Sequence, residues 1–224
     1  AADLMRSDRS FKPLNVVVLK TSRGDLIEFP GIPDTDFITD GDAGAGMISK
    51  REVRLMTLSL LQPAAEEIGW DIGAGCGGIA IEWARWNQLG SVIAIENHSD
   101  RLSCLNANRE KFGVSGNLQV IAASAPGCLV DLPDPDCIFV GGGGRDLGAI
   151  LDKAWSRLKP GGRLVATAVT EPSRIALQRF VDSTDKNPEW TQIAISRPQT
   201  LGGQLVLQPR LPVLLMKCTK RTPP

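Results

Sequence analysis

The sequence contains no tyrosine and only one histidine, and these two shortages exclude several kinds of active site. Without tyrosine, the tyrosine-lysine proton relay of short-chain dehydrogenases cannot be built. The single histidine, His98, belongs to no HExxH motif or comparable ligand cluster, so we interpret it as a loop residue and expect no bound metal. A P-loop is also missing, because the glycine run before Arg145 lacks the GxxxxGK pattern with its following serine or threonine.

Cysteine pairs, net charge and long apolar runs are absent as well. The five cysteines are odd in number and widely spread, with no CxxC pair, which predicts reduced thiols rather than disulfides or a zinc site. The 25 basic residues balance the 25 acidic ones, so no overall field attracts nucleic acid or an anionic membrane. No apolar run approaches the roughly 20 residues of a membrane span, and no charged leader precedes an apolar segment. We therefore expect a soluble, cytoplasmic protein without a nucleic-acid or membrane partner.

The apolar pattern that is present predicts an α/β fold with a parallel sheet. From residue 67 onward, short apolar runs alternate with segments of helical periodicity, which is typical of strands covered by helices on both faces. Strands are predicted at seven places: Ile68–Ile72, Ser91–Glu96, Leu118–Ala122, Cys137–Val140, 163–169, 190–195 and 212–217. Between the last two, the segment 201–203 is predicted to be a turn or loop.

Helix signals and chain length suggest one domain with an appendage. Ser49 and Glu52 have the spacing of a capping box, before a helix that ends at Pro63. A second helix is predicted from 146 to 158, where the LKPGG sequence stops it. We expect residues 31–224 to form one domain and residues 1–30, with one isolated strand at 15–20, to be an appendage or linker.

The stretch WDIGAGCGG follows the first strand of the alternating pattern and fits two cofactor motifs. Gly73, Gly75 and Gly78 match the GxGxxG pattern of dinucleotide sites. Asp71, Gly73, Gly75 and Gly77 match the DxGxGxG pattern of S-adenosylmethionine sites. Ligands of open parallel sheets bind at the carboxyl end of the first strand, so the position of the loop suits either cofactor.

The acidic residues beside this loop favour S-adenosylmethionine. A dinucleotide places its pyrophosphate at the helix N-terminus, where the Asp71 carboxylate would cost on the order of 1 to 4 kcal/mol at effective dielectric constants of 80 to 20. S-adenosylmethionine instead presents an ammonium and a sulfonium, which a carboxylate stabilises. Glu96 ends the second strand and is expected to accept hydrogen bonds from two ribose hydroxyls, as in either class of site.

The fourth strand ends in a run of four glycines, which predicts the acceptor side of the site. Methyltransferases that act on exocyclic amino groups usually have an Asn/Asp-Pro-Pro-aromatic sequence there, and this chain does not. Four glycines leave free amides and a wide space, which suits a bulky acceptor. The predicted acceptor-binding residues are Gly141, Gly142, Gly143, Arg145 and Lys50, with Arg51, Arg54 and Arg197 as further candidates to grip a polyanion.

Six stretches taken together resemble the decarboxylating precorrin methyltransferases of cobalamin biosynthesis. They are GIPDTDF, SKREVR, WDIGAGCGG, AASAP, LPDPDCIFVGGGG and LKPGGRLV. LKPGG is shared by many methyltransferases, whereas the combination of PDxxF, KREVR and PDxxFxGGGG is specific. The resemblance runs from about residue 31 to 217 and is strongest to the C-terminal half of the bifunctional C(5,15)-methyltransferases, in which a tetrapyrrole methylase domain comes first.

This resemblance implies the class I S-adenosylmethionine-dependent methyltransferase fold, Rossmann-like, with a seven-stranded and mostly parallel sheet whose last strand is reversed. It also implies S-adenosylmethionine as cofactor. The resemblance and the DxGxGxG motif together predict a set of cofactor-binding residues. They are Ser49, Asp71, Gly73, Ala74, Gly75, Cys76, Gly77, Glu96, Ala123, Ser124 and Ala125. Ser124 departs from the family, which often has an acid there, and the glycine-rich stretch at 40–47 is expected to be a lid.

The implied reaction is methyl transfer to a ring carbon of a precorrin, with loss of carbon dioxide from an acetate side chain. It needs no protein nucleophile, so no single catalytic residue is assigned. The family further implies a homo-oligomer, a tetramer. Three alternatives remain from the residues alone: an RNA or other small-molecule methyltransferase, a nucleotide-dependent oxidoreductase, and a non-catalytic cofactor-binding module. Zero net charge and 5% aromatic residues argue against RNA.

Overall fold

The computed structural model describes residues 28–42, 45–183 and 187–222, which fold around one central sheet. The strands are β1 (Ile68–Ile72), β2 (Ser91–Glu96), β3 (Leu118–Ala122), β4 (Cys137–Val140), β5 (Arg163–Ala168), β6 (Glu189–Ile193), β7 (Ser196–Leu201), β8 (Gln204–Pro209) and β9 (Val213–Thr219). Seven of them form the sheet in the order β3-β2-β1-β4-β5-β9-β6. The strand predicted at 15–20 lies outside the described residues.

The direction of the strands follows the prediction. β1 to β5 pair in parallel, whereas β9 runs antiparallel to both β5 and β6. The mostly parallel seven-stranded sheet with a reversed last strand is therefore confirmed. β4 is buried along its whole length and β1 along nearly all of it, which explains why these runs are apolar almost without interruption.

Five helices cover the two faces of the sheet. They are α1 (Arg51–Leu61), α2 (Gly78–Trp86), α3 (Ser99–Lys111), α4 (Leu147–Arg157) and α5 (Glu171–Asp182). Apolar side chains of α1, α2 and α3 pack in one core cluster, and those of α4 and α5 pack in a second cluster. Because β–α connections all leave from the carboxyl ends of β1 to β5, their loops meet at one edge of the sheet.

The predicted capping box at the start of α1 is wrong. The helix begins at Arg51 with Lys50 as its N-cap, and no side chain caps it. The Glu52 side chain instead pairs with Arg197 of β7, with 2.5 Å between Oε1 and a guanidinium nitrogen. A partner 145 residues away along the chain has captured the carboxylate that the local motif assigned to the helix end.

A hairpin that the sequence pattern did not predict lies between β6 and β9. It consists of β7 and β8, joined at Gly202 and Gly203, so the predicted turn is correct but the two strands beside it were missed. All six residues of β8 are exposed, including Leu205 at 75% and Leu207 at 71%. Within the described part of the chain, these two strands pair with each other alone.

Candidate active site

A cavity of about 650 Å³ lies at the edge of the sheet where the strands end. Its wall divides into two halves. One half is formed by the loops after β1, β2 and β3, and its residues are Gly73, Ala74, Gly75, Glu96, Asn97, Arg101, Ala123, Ser124 and Ala125. The other half is formed by the start of α1 and the residue before it, the loop after β4, α4, β5 and β9, and its residues include Lys50, Val53, Gly141, Gly142, Gly143, Gly144, Asp146, Ile150, Thr167 and Val213.

Backbone contacts with β2 and with Met47 hold the glycine loop after β1. The amides of Gly73 and Ala74 donate to the carbonyl oxygen of Ile95 at 2.9 and 3.1 Å. Gly75 has a φ of +57°, and a Cβ at this position would collide with the carbonyl oxygen of Met47. Only glycine meets both demands at position 75, because a left-handed backbone and a close backbone approach coincide there.

Glu96 is placed to hold a polar ligand at the cavity wall. It is buried, and its Oε2 accepts a hydrogen bond of 2.8 Å from the amide of Gly75. Its Oε1 accepts from the amides of Asn97 and His98 at 2.9 and 3.0 Å. Three backbone donors fix the carboxylate in one orientation, and because Oε1 accepts two of these hydrogen bonds and Oε2 only one, the remaining capacity for a ligand hydroxyl is on Oε2.

Asp71, by contrast, does not line the cavity, which corrects the role that the sequence pattern gave it. The carboxylate is 1% exposed and neither oxygen has a hydrogen-bond partner within the described residues. Burial raises the pKa of Asp71 to about 7, and the negative charge of Glu96 adds to the rise. The Ala80 amide of α2 opposes this rise, although it lies outside hydrogen-bonding geometry. Asp71 therefore lies behind the glycine loop, towards α2, and is only partly ionised at neutral pH.

A segment before α1 closes the cavity above the glycine loop. The carbonyl oxygen of Met47 accepts from the amide of Cys76 at 3.0 Å. Asp40 joins this segment to the loop and to α3, because its carboxylate accepts from the Met47 amide at 2.7 Å and from Nε of Arg101 at 3.2 Å. The Cys76 thiol also donates to Asp40 at 3.5 Å, and burial, which raises the pKa of this thiol to about 12, keeps it protonated.

Most, but not all, of the predicted site residues meet at this cavity. Those on its wall are Ser49, Lys50, Gly73, Ala74, Gly75, Glu96, Ala123, Ser124, Ala125, Gly141, Gly142 and Gly143. Cys76 and Gly77 lie behind the wall, where Gly77 packs against Leu105 of α3. Arg145 is exposed and is not part of the wall.

The cations predicted to grip an acceptor have different roles in the structure. Arg54 is completely buried and bonded to Glu82, so it is not available to a ligand. Arg51 and Arg197 form ion pairs with Glu28 and Glu52. Of the five predicted cations, Lys50 alone lines the cavity. The sequence pattern missed Arg101, although its place five residues after Glu96 puts it on the first turns of the helix that follows β2.

The described residues hold no helix long and apolar enough to cross a bilayer. They also contain no group of three or more histidine, cysteine, aspartate or glutamate side chains arranged to bind a metal ion.

Comparison with known proteins gives consistent results. The family model described as "Precorrin methyltransferase domain" matches residues 41–220. A precorrin-6Y C(5,15)-methyltransferase [decarboxylating] of Sinorhizobium sp is 41% identical over 175 residues, which cover 78% of this chain and 41% of that protein. A probable cobalt-precorrin-6B C(15)-methyltransferase (decarboxylating) of Pyrobaculum calidifontis is 35% identical over 188 residues, covering 84% of this chain and 94% of that protein.

Solved structures support the same grouping. The C-terminal domain of precorrin-6Y C5,15-methyltransferase from Rhodobacter capsulatus superimposes with a TM-score of 0.76 at 33% identity, covering 85% of this chain and 98% of that one. Methyltransferases with 18% and 16% identity share the fold alone. The chain spans about two fifths of the Sinorhizobium protein and nearly the whole of the Pyrobaculum one. The chain thus has the class I S-adenosylmethionine-dependent methyltransferase fold and belongs to the precorrin methyltransferase domain family.

Proposed function

We propose that this protein transfers a methyl group from S-adenosylmethionine to a ring carbon of a precorrin, coupled to loss of carbon dioxide from an acetate side chain, in cobalamin biosynthesis. The observation that carries the proposal is the two-part cavity in a chain of this family. One part presents a fixed carboxylate beside a glycine loop, and the other presents bare glycine backbone above apolar side chains. Such a division suits a nucleoside-containing donor next to a wide, flat acceptor.

The donor half fits S-adenosylmethionine, which supplies an electrophilic methyl group. The Gly73–Gly75 backbone lines the part of the cavity that would take its methionine part, and Oε2 of Glu96 is oriented to accept from a ribose hydroxyl. Ala123, Ser124 and Ala125 form the wall on which the adenine would lie. These residues bind and orient; no protein nucleophile is needed, because holding donor and acceptor in near-attack geometry can supply up to about 7 to 11 kcal/mol of the barrier.

The acceptor half fits the flat face of a macrocycle with carboxylate substituents. Val53, Ile150 and Val213 give an apolar floor, and Lys50 lies at its edge. Apolar contact binds the ring, while the cation at the edge favours peripheral carboxylates. The apolar floor also excludes water from the space between the two ligands.

Glu96→Ala is expected to weaken S-adenosylhomocysteine binding by about 10- to 100-fold, the effect of losing hydrogen bonds to a charged group worth about 1.5–3 kcal/mol. Isothermal titration calorimetry measures the change. Glu96→Gln keeps the shape and one acceptor oxygen, so it should recover part of the affinity. Glu110→Ala, at an exposed position of α3, is the matched control and should bind as the wild type does.

The same experiment separates the proposed cofactor from a dinucleotide. NAD and NADP should give no heat and no thermal shift with the wild type. Incubation with S-adenosylmethionine and a precorrin should give a product that has gained a methyl group and lost carbon dioxide, detected by mass spectrometry. Binding of NAD in place of S-adenosylhomocysteine would contradict the proposal, as would a methylated product from RNA but none from a precorrin.

We further propose that the protein is a cytoplasmic homotetramer and that it corresponds to the C-terminal half of a longer protein with a preceding tetrapyrrole methylase domain. The five free cysteines suit a reducing compartment. The longer Sinorhizobium relative, of which this chain matches 41%, supports the preceding domain. The hairpin of β7 and β8 supports self-association, because it exposes apolar side chains on a strand pair whose outer edges bind no other strand of the described residues.

Charge placed on this hairpin is expected to break the oligomer. Leu205 and Leu207 lie two residues apart on β8 and therefore share one face, so Leu205→Asp/Leu207→Asp should elute with a lower mass in size-exclusion chromatography with light scattering. Leu89→Asp changes a leucine that is 76% exposed in a loop and should keep the wild-type mass. A monomeric wild type, or a hairpin variant that remains tetrameric, would contradict this assignment.

A further inference from the structure

The glycine run after β4 contains three glycines that the chain itself requires. A Cβ on Gly141 would lie 2.8 Å from the ring of Phe139. A Cβ on Gly143 would lie 3.0 Å from Leu147 and from Ile150. Gly144 has a φ of +52°, a conformation that side chains disfavour. Packing or backbone conformation therefore explains each of these three positions.

Gly142 differs from its neighbours, because nothing in the chain requires glycine there. No heavy atom lies within 4 Å of the position that its Cβ would occupy. Its φ lies outside the left-handed region, so a side chain would bring no backbone strain. As far as the described residues determine it, alanine would fit at position 142 without any adjustment.

Gly142 lines the cavity at the point where its two halves meet. The backbone nitrogen of Gly142 is 3.3 Å from the position that a Cβ on Gly73 would occupy, so the loops after β1 and β4 touch here. Gly73 belongs to the half assigned to the donor, and Gly142 begins the half assigned to the acceptor. A side chain added at position 142 would therefore be attached where the spaces for the two ligands meet.

We propose that Gly142 is a specificity-determining residue, whose bare backbone keeps room for the ring carbon of a wide, flat acceptor at methyl-transfer distance. This inference rests on the proposed function and deepens it, because it names the position that admits a macrocycle face. In methyl transfer, the acceptor ring carbon, the methyl group and the donor sulfur must lie on one line. The ring has no freedom to tilt away from an added methyl group, whereas a small or flexible acceptor has it.

The expected effect follows from the geometry of methyl transfer. Near-attack conformers hold the reacting atoms about 3–3.5 Å apart, and a displacement of about 1 Å costs on the order of 10²-fold in rate. An alanine Cβ at position 142 displaces the ring by about that distance. Gly142→Ala should therefore lower kcat for the precorrin about 100-fold, and the larger Gly142→Val should lower it further and raise KM.

Two measurements other than turnover make the test specific to the acceptor. The melting temperature and the Kd for S-adenosylhomocysteine should both stay at the wild-type values in Gly142→Ala, because neither the fold nor the donor uses that space. Gly148→Ala is the matched control: it also adds a Cβ into open space, six residues further along, but outside the cavity. It should leave turnover and donor affinity unchanged, and its melting temperature should equal or exceed that of the wild type, because position 148 lies in α4 and alanine favours a helix over glycine.

Each other outcome overturns the inference. Wild-type turnover in Gly142→Ala would show that no ring passes over position 142. A tenfold loss of S-adenosylhomocysteine affinity would assign the space to the donor, and a large fall in melting temperature would assign it to the fold. A wild-type protein that binds S-adenosylhomocysteine but methylates no precorrin would overturn the proposed function itself, a result distinct from an active wild type with an equally active variant.

Discussion

Replacing Arg54 with alanine is expected to lower the free energy of unfolding by about 3–5 kcal/mol, the cost of leaving a buried partner charge uncompensated. Arg54 is completely buried, and its Nε donates to Oε1 of Glu82, also completely buried, at 2.7 Å. Without the guanidinium, the partners of the Glu82 carboxylate among the described residues would be the backbone amides of Gly31 and Ile32. Urea denaturation followed by circular dichroism measures the loss.

The size of this effect reflects the number of segments that Arg54 joins. One terminal nitrogen donates to Asp34 and to the carbonyl oxygen of Ser49, both at 2.6 Å. The guanidinium also lies 4.8 Å from the centre of the Phe37 ring. Residues 31–37, α1 and α2 are thus held by one side chain. Because Ser49 lines the cavity, we expect the loss of Arg54 to weaken donor binding as well.

Two further variants define the origin of the loss. Arg54→Lys keeps the charge but not the forked geometry, so its stability should fall between wild type and alanine. Arg51→Ala, one turn earlier on α1, removes an exposed ion pair with Glu28 of 3.2 Å and should cost less than about 1 kcal/mol. Equal losses for Arg51→Ala and Arg54→Ala would contradict a special role for the buried network.

Local sequence signals predicted the elements that a single segment determines. The strands β1, β2 and β4 are short apolar runs buried along nearly their whole length, and β1 to β4 were predicted with their observed ends. The end of α4 follows from LKPGG, because proline and glycine stop a helix wherever it packs. The position of the cavity followed from topology, since the carboxyl ends of parallel strands always share one edge.

Features that depend on distant partners could not be predicted in this way. Arg54 has the sequence signature of a surface charge, and its burial depends on Glu82 and Asp34, 28 and 20 residues away. The strand β8 has no buried face, so it carries no alternating pattern from which to identify it. The helix cap predicted for Glu52 was wrong because the true partner of Glu52, Arg197, lies in the hairpin of β7 and β8, which the sequence pattern did not predict.

The prediction for Asp71 was wrong for a different reason. The strand β1 was predicted correctly, but the motif does not say to which face of the sheet the Asp71 side chain points. Successive side chains of a strand point to opposite faces. Trp70 and Ile72 belong to the core cluster packed by α4 and α5, so Asp71 between them must point to the other face, towards α2. The DxGxGxG motif therefore identifies the glycine loop correctly, although the Asp71 carboxylate lies behind that loop and not in the cavity.

Asp71→Asn is expected to make the protein more stable than the wild type at pH 8 by about 4 kcal/mol. Burial raises the pKa of Asp71 from 3.8 to about 7, a difference of about three units, each worth about 1.4 kcal/mol. Between these two pKa values the folded state holds a proton that the unfolded state has released. The contribution of Asp71 to stability therefore falls as the pH rises from about 4 to about 7 and is constant above that range.

The difference between variant and wild type at each pH isolates Asp71 from the other titrating groups. Urea denaturation at several values between pH 4 and pH 8.5 should give a difference near zero at the acid end and a maximum at the alkaline end, because asparagine resembles the protonated acid in shape and charge. Asp152→Asn, at an exposed position in the middle of α4, is the control and should differ from the wild type by less than about 0.5 kcal/mol.

The same carboxylate tests how charge behind the loop acts on the proposed donor. A negative charge one residue behind the cavity wall attracts a sulfonium more than the neutral sulfur of S-adenosylhomocysteine. The affinity ratio of the two ligands should therefore rise between pH 6 and pH 8 in the wild type and stay constant in Asp71→Asn. If the stability of variant and wild type differed by the same amount at every pH, the pKa of Asp71 would be the same in the folded and unfolded states. Asp71 would then explain neither the pH dependence of stability nor that of donor binding.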